Sequence, residues 1–301
     1  MKNHLAVAVI ALSALPSFSQ PRIDFAAAQL QPHKIADDFY TIEGPGGTMC
    51  VLVTSDGLLV VDSEYVQMAD KALVAVKNLS DKPVRFLVDT HVHVDHTGGN
   101  DAFGKAGAII FARDQLRERL MHPSPIPSGA PRNPAPPDAL PRVTYDGPVT
   151  LHLGDEDVQL IPVRAAHTDG DTLIRFVHHD ILATGDYFRT VGYPRMDLVN
   201  GGSFNGLIDG LARTISFADA KTKIVPGHGP LSDRSAVMAQ RDMLLAIGQR
   251  VATLVAEGKT IEEVIAAKLT ADYDARVPEG AQGSEAFLKS IYAEMKANPK
   301  R

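Results

Sequence analysis

Thr90-His91-Val92-His93-Val94-Asp95-His96 sets four candidate metal ligands within six positions. Imidazole nitrogen and carboxylate oxygen are donors that suit zinc and similar divalent cations. Alternate side chains of an extended chain share one side, which puts His91 and His93 together. A turn after them carries Asp95 and His96 to a neighbouring point. Thr97-Gly98-Gly99-Asn100 has the freedom for that turn and opens a helix. Three further candidates stand in short glycine-bearing segments: His167 in Ala166-His167-Thr168-Asp169-Gly170-Asp171, Asp186 in Thr184-Gly185-Asp186-Tyr187, and His228 in Pro226-Gly227-His228-Gly229. Each alone reads equally as a plain turn or a flexible loop.

What joins them is the kind of element that precedes them. Apolar strands are expected at 84–89, 158–163, 181–184 and 223–225, and a candidate follows each one. Loops at strand ends are where sheet scaffolds build sites. Around these lie further expected strands at 39–42, 49–54, 58–62, 108–112, 149–153 and 172–177, with Gly44-Pro45-Gly46-Gly47 and Ser55-Asp56-Gly57 as meander turns. Helical spacing marks 68–79, 115–121, 204–217, 234–257, 261–268 and 284–296. The segment 122–142 holds eight prolines, so it is neither regular helix nor central strand. It is a linker or an extended surface loop. Two strand-rich halves, each with helices, suggest two packed sheets with helices outside, of α+β or α/β class.

Composition narrows the partners. At 45% hydrophobic and 22% charged residues the chain is of ordinary globular type, which excludes disordered, collagen-like and coiled-coil classes. A net charge of −6 gives no footprint for nucleic acid. The single cysteine, Cys50, excludes an intramolecular disulfide and a thiolate-rich metal site. Within the apolar run around it, Cys50 reads as a small core residue. Residues 1–19 have the pattern of a secretory signal peptide: Lys2, an apolar run over 5–15, then small residues at Ser17 and Ser19 before a cut at Gln20. The mature protein is then periplasmic or secreted. No later segment has 18 unbroken apolar residues, so no membrane span is expected.

In order and spacing, HVHVDH, AAHTDGD, ATGDYF and VPGHG resemble the metallo-β-lactamase superfamily over roughly 35–234. The resemblance implies an α+β fold, an αββα sandwich of two mixed β-sheets with helices outside, as one domain over 20–301 that ends in a helical part at 233–301. It implies a two-metal site at one edge of the sheets. His91, His93 and His167 would hold the first metal, Asp95, His96 and His228 the second, and Asp186 would bridge both. Asp62 matches an early aspartate that supports the metal loops; an ordinary turn residue is the competing reading. The implied cofactor is two zinc ions per chain, with iron and manganese also used in the superfamily. A bound cation lowers the pKa of its water toward ~7, giving hydroxide at neutral pH. Asp95 would orient that water or accept its proton.

The substrate is less sharply indicated. A bridging aspartate with His96 present resembles the glyoxalase II and lactonase ligand sets, whereas β-lactamases usually carry Cys or Ser at that position. Export points back, because glyoxalase II usually meets its thiol substrates inside the cell. Arg189 lies three residues after Asp186, where one β-lactamase subclass places a carboxylate-binding lysine, and Asn200 falls near that subclass's asparagine loop. Both are candidate substrate-binding residues, with a surface cation the alternative for Arg189. Tyr187 and Tyr193 either line the pocket or pack. The proline-rich segment is either a wall over the site or a spacer. The expected function is an exported binuclear zinc hydrolase cleaving a small carbonyl substrate, a cyclic amide or ester such as a β-lactam or lactone. Thioester and phosphoester hydrolysis are the rival reactions. A non-catalytic metal-binding protein is the rival class, against which a complete ligand set speaks.

Overall fold

The computed structural model describes residues 23–125, 132–278 and 280–297. The signal-peptide reading at 1–19 lies outside the described residues. The chain opens with a meander of four antiparallel strands: β1 (Gln31–Ala36), β2 (Phe39–Glu43), β3 (Met49–Thr54) and β4 (Gly57–Val61). Helix α1 (Ala69–Lys77) then carries the chain to β5 (Val84–Val88), parallel to β4. Two short helices, α2 (Val94–Thr97) and α3 (Asn100–Lys105), lead to β6 (Ile109–Arg113), and α4 (Asp114–Met121) with the proline-rich segment leads to β7 (Val143–Tyr145). These seven strands form one mixed sheet in sequence order.

The second sheet contains β8 (Val149–Leu153), β9 (Glu156–Pro162), β10 (Thr172–Phe176) and β11 (Ile181–Ala183), antiparallel in turn. After α5 (Phe204–Phe217), β12 (Lys223–Val225) joins β11 in parallel, giving the order β12-β11-β10-β9-β8. Helices α6 (Arg234–Ala256), α7 (Ile261–Ala266), α8 (Ala271–Asp274) and α9 (Gly280–Ala297) follow.

The apolar runs of β3 and β4 follow from burial on both faces. Successive side chains point to opposite faces. Cys50, Leu52, Leu59 and Val61 turn toward the second sheet and meet Val158, Ile174, Phe176 and Val225. Met49, Val51, Leu58 and Val60 turn outward onto Ala72 and Val76 of α1 and Phe103 of α3. The far face of the second sheet, with Ile161, Leu173, Leu182 and Ile224, is covered by Leu207 and Leu211 of α5, Leu244 and Ile247 of α6, and Phe287 of α9. The result is four layers, helix, sheet, sheet and helix: the αββα sandwich of the α+β class.

Local chemistry sets the helix starts. Ser203 caps α5 by accepting from the Gly206 N–H, Asp233 caps α6 through Ala236, and Thr260 with Glu263 forms a reciprocal capping box on α7. The expected helix and strand at 204–217 and 223–225 match α5 and β12. Two strands escaped the sequence pattern. β1 is polar and mostly exposed, and β7 is a three-residue strand directly after the prolines. The described part of the proline-rich segment before β7 is tied to α3 and β6, since the Asn100 amide donates to the Ala139 carbonyl and the Arg142 N–H to that of Ile110.

Candidate metal centre

Every candidate ligand stands at the end of a strand that runs toward the same edge. Asp62 follows β4, the His91–His96 run follows β5, His167 follows β9, Asp186 follows β11 and His228 follows β12. β5 ends at Val88, and a one-turn helix, α2, starts after His93. That break in direction separates His91 and His93 from Asp95 and His96.

The side chains form two trios. Ligand atoms of His91, His93 and His167 lie within 4.8 Å of one another, and so do those of Asp95, His96 and His228. The three rings of the first trio stand nearly perpendicular, with centroids 4.6 to 4.9 Å apart. Asp186 lies between the trios. Its Oδ2 is 3.7 Å from His167 Nε2, and its Oδ1 is 3.2 Å from His96 Nε2 and 3.3 Å from His228 Nε2. Donor atoms around a tetrahedral zinc with ~2.1 Å bonds are separated by ~3.4 Å, close to these spacings.

Outer partners decide which ring nitrogen faces inward. His167 Nδ1 donates to the Arg195 carbonyl at 2.7 Å, and His93 Nε2 donates to Asp197 at 2.8 Å. In the neutral rings this leaves lone pairs on His167 Nε2 and His93 Nδ1, which face each other at 2.8 Å. Two lone pairs so close fit a shared cation rather than a hydrogen bond. His91 Nδ1 donates to Thr90 Oγ1 at 3.0 Å, and that hydroxyl donates to Asp62 Oδ2 at 2.8 Å. His96 Nδ1 donates to the same Asp62 oxygen at 2.7 Å. His91 Nε2 and Asp186 Oδ1 are buried without a hydrogen-bond partner among the described residues. Orphaned polar atoms of this kind carry a desolvation cost that a cation would offset. The donor set fits a metal, and the carboxylate and carbonyl behind the imidazoles are the usual outer shell of such a site.

Electrostatics divide the histidines. Burial pushes His91 well below the ordinary value and His167 down to about 4, so both are neutral at physiological pH. Burial also acts to lower His96 and His228, but facing carboxylates outweigh it and hold both above the ordinary value. For His96 these are Asp62, Asp186 and Asp95; for His228 they are Asp186 and Asp95. Asp186 itself is pushed up by burial, yet His228 and His96 bring it well below the usual carboxylate range.

The structure places the other sequence candidates differently. Asp62 is buried under the ligands, in the left-handed region at φ 60°, and also accepts from the Thr90 N–H at 2.7 Å. Asn200 is engaged elsewhere: its amide donates to Asp197 at 2.6 Å and its oxygen accepts from Arg119 at 3.0 Å. Asn200 thereby holds the carboxylate that orients His93. Arg189 donates from Nε to the Val191 carbonyl at 2.7 Å and lines a cavity of about 270 Å³ beside α6 and α8 that no metal ligand lines. Tyr187 and Tyr193 both pack: the former's hydroxyl pairs with Thr214, and the latter's ring stacks on Phe287. Cys50 is buried between the sheets.

Several working residues escaped sequence reasoning. Asp197 has no local pattern around it. Asp171 accepts from the His167 and Thr168 N–H groups and holds that loop; its spacing four residues after His167 was the available signal. Glu64 is fully buried at φ 67° and accepts from the Gly46 and Tyr65 N–H groups.

Comparison with known proteins agrees with this geometry. The family model described as the metallo-β-lactamase superfamily matches residues 44–258. A metallo-β-lactamase type 2 from Bacillus cereus is 24% identical over 198 residues, 64% of this chain and 71% of that protein. A linear primary-alkylsulfatase from Pseudomonas sp. is 36% identical over 73 residues, 22% of this chain and only 14% of the enzyme's length. Among solved structures, a metallo-β-lactamase from Pontibacter korlensis superposes with a TM-score of 0.61 at 18% identity, covering 72% of this chain and 99% of that one. The sec-alkylsulfatase Pisa1 from Pseudomonas sp. gives 0.67 at 17% identity over 90% of this chain, which spans about half (51%) of that enzyme. With the family model spanning most of its length and the candidate ligands gathered at the sheet edge, the chain belongs to the metallo-β-lactamase superfamily.

Proposed function

We propose that the protein is an exported binuclear zinc hydrolase that opens a cyclic amide or ester, a β-lactam or a lactone. The observation that carries this reading is the pair of ligand trios with Asp186 between them. Zinc, when bound, supplies a Lewis acid that polarises a carbonyl oxygen and brings the pKa of water toward neutrality. His91, His93 and His167 would hold one ion, Asp95, His96 and His228 the other, and Asp186 would touch both. Iron and manganese accept the same donors.

The chain's own residues do the rest. His91, His96, His167 and Asp186 form a buried floor, while His93, Asp95 and His228 are partly exposed and line the side from which a substrate arrives. Burial works to raise the Asp95 carboxyl, but the charge of His96 and the hydrogen bond from His228 bring it down to about 2. It is therefore ionised at neutral pH, where it orients the attacking water and accepts its proton. Asp62, Thr90, Asp197 and the Arg195 carbonyl keep the imidazoles in one tautomer. No serine or cysteine nucleophile is needed.

A second reading, thioester hydrolysis, is supported by Asp186, which makes the ligand set sulfur-free. Metal analysis with a panel of a chromogenic cephalosporin, a lactone, a thioester and a phosphodiester separates the readings. The expected result is about two zinc ions per chain, with the lactone or cephalosporin turned over fastest and activity lost in Asp95→Ala. Full activity in that variant, or fewer than two metals at saturating zinc, would overturn the proposal. Export is tested by the intact mass of the secreted protein, which should begin at Gln20.

A further inference from the structure

Behind the first trio, a guanidinium far from every ligand motif closes a chain of hydrogen bonds that ends on His93. Arg119 lies on α4 and is partly buried. Its Nε and one terminal nitrogen donate to the two oxygens of Asp169, each at 2.6 Å, the two-pronged pairing that suits an arginine and a carboxylate. Both prongs are thereby anchored, and the remaining terminal nitrogen donates to the Asn200 side-chain oxygen at 3.0 Å. The anchor is itself fixed. The Asp169 N–H donates to the Asn200 carbonyl and the Asp197 N–H to the His167 carbonyl, both at 2.9 Å, so the two loops are zipped together. Gly201, at φ 77°, leaves room for the carboxylate, since a Cβ there would lie 2.6 Å from Asp169 Oδ2.

The contact to Asn200 fixes the sense of an amide. A side-chain amide has a donating and an accepting end, and half a turn exchanges them. With its oxygen bound to Arg119, Asn200 points its nitrogen at Asp197 and donates to Oδ2 at 2.6 Å. The same Oδ2 accepts from His93 Nε2 at 2.8 Å. The other Asp197 oxygen accepts from the N–H groups of Val199 and Asn200. Turned over, the amide would set its oxygen against that carboxylate, and two acceptors repel. Ser124 Oγ also reaches the Asn200 oxygen, but at 3.4 Å it is too long to hold the amide by itself. Arg119 thus decides which end of Asn200 meets the carboxylate that orients His93.

We propose that Arg119 is a positioning residue for the first metal, acting through Asn200 and Asp197 on the ring of His93. This rests on the two-trio metal centre of the proposed function and adds no chemical step. The chain of contacts ends in the first trio, so the second should not feel its loss.

Zinc uptake by metal-free protein in chelator competition reads the two binding steps separately. Arg119→Met should weaken one step about tenfold and leave the other within about twofold. That step should be the one that Asp197→Ala weakens. Adding Arg119→Met to Asp197→Ala should cost little more, because both changes break one chain. Arg119→Lys keeps a charge beside Asp169 but has no fork to span Asp169 and Asn200. It should unfold in urea with the wild type and weaken the same step about threefold, so it serves if the methionine variant does not fold. Equal loss at both steps, no loss at either, or an additive loss in the double variant overturns the proposal. If the wild type takes up no zinc, the metal reading itself fails. The hold on His93 is then judged in the metal-free protein by nuclear magnetic resonance of its Nε2 proton. Exchange with solvent about fivefold faster in Arg119→Lys supports the positioning role, and unchanged exchange overturns it.

Discussion

One oxygen of Asp62 accepts hydrogen bonds from both His96 Nδ1 and Thr90 Oγ1, and so reaches a ligand ring in each trio: His96 directly and His91 through the threonine. Removing its charge should therefore act at both metals. Asp62→Asn retains a residue type that tolerates the left-handed backbone. The variant should stay folded by circular dichroism but bind zinc about 10- to 100-fold more weakly in chelator competition. Asp197→Ala provides the contrast. Among the candidate ligands its carboxylate pairs with His93, in the first trio, so only one of the two binding steps should weaken. Wild-type affinity in Asp62→Asn would show that Asp62 is merely a turn residue.

Gly227 stands where a side chain has no room. A Cβ there would lie 2.1 Å from Asp186 Oδ1 and 2.6 Å from the Gly185 carbonyl carbon. Gly227→Ala must move the central carboxylate, and a displacement of about 1 Å at reacting groups costs up to ~100-fold in rate. Gly147→Ala is the control, since nothing lies within 4 Å of its added carbon. We expect kcat/KM to collapse in the first variant and hold in the second. Comparable activity in both would mean that Asp186 has slack.

Metal-free protein should lose stability as the solution becomes alkaline. His96 and His228 sit above the ordinary histidine value of 6.5 because facing carboxylates outweigh their burial. A folded value above the unfolded one gives stability that is complete below about pH 6.5 and is lost as pH rises through the folded value. Asp171, pushed up to about 7 by burial despite hydrogen bonds from Thr168 and His167, has the same sign, and its share is gone by about pH 7. The apo melting temperature should fall from pH 6.5 to about 9. Zinc should remove most of that slope and release protons in weakly buffered solution, because imidazoles bind metal only when the facing nitrogen is deprotonated. A flat apo profile with no proton release would count against the assigned pairing.

Burial holds the Cys50 thiol far above its ordinary pKa, so little thiolate forms. A disulfide reagent should leave it untouched in the native protein and label it fully in denaturant. Cys50→Ser places a hydroxyl between the sheets and should cost roughly 1–3 kcal/mol in urea unfolding. Rapid native labelling would mean that the sandwich opens locally near β3.

Much was legible in the linear text. β3, α5 and β12 were readable because their apolar spacing is set by which faces are buried, and that pattern is local. The seven candidate ligands were readable because they stand in four short segments, each after a strand. Tertiary structure alone decided their partners. Asp197 reaches His93 from 104 positions away and Asp62 reaches His96 from 34, and no local pattern encodes such pairings. Asn200 is of the same kind: it accepts from Arg119, 81 positions away, while its amide donates to Asp197. Residue types and spacing fix what a segment is able to do; strand order and the packing of two sheets fix what it meets.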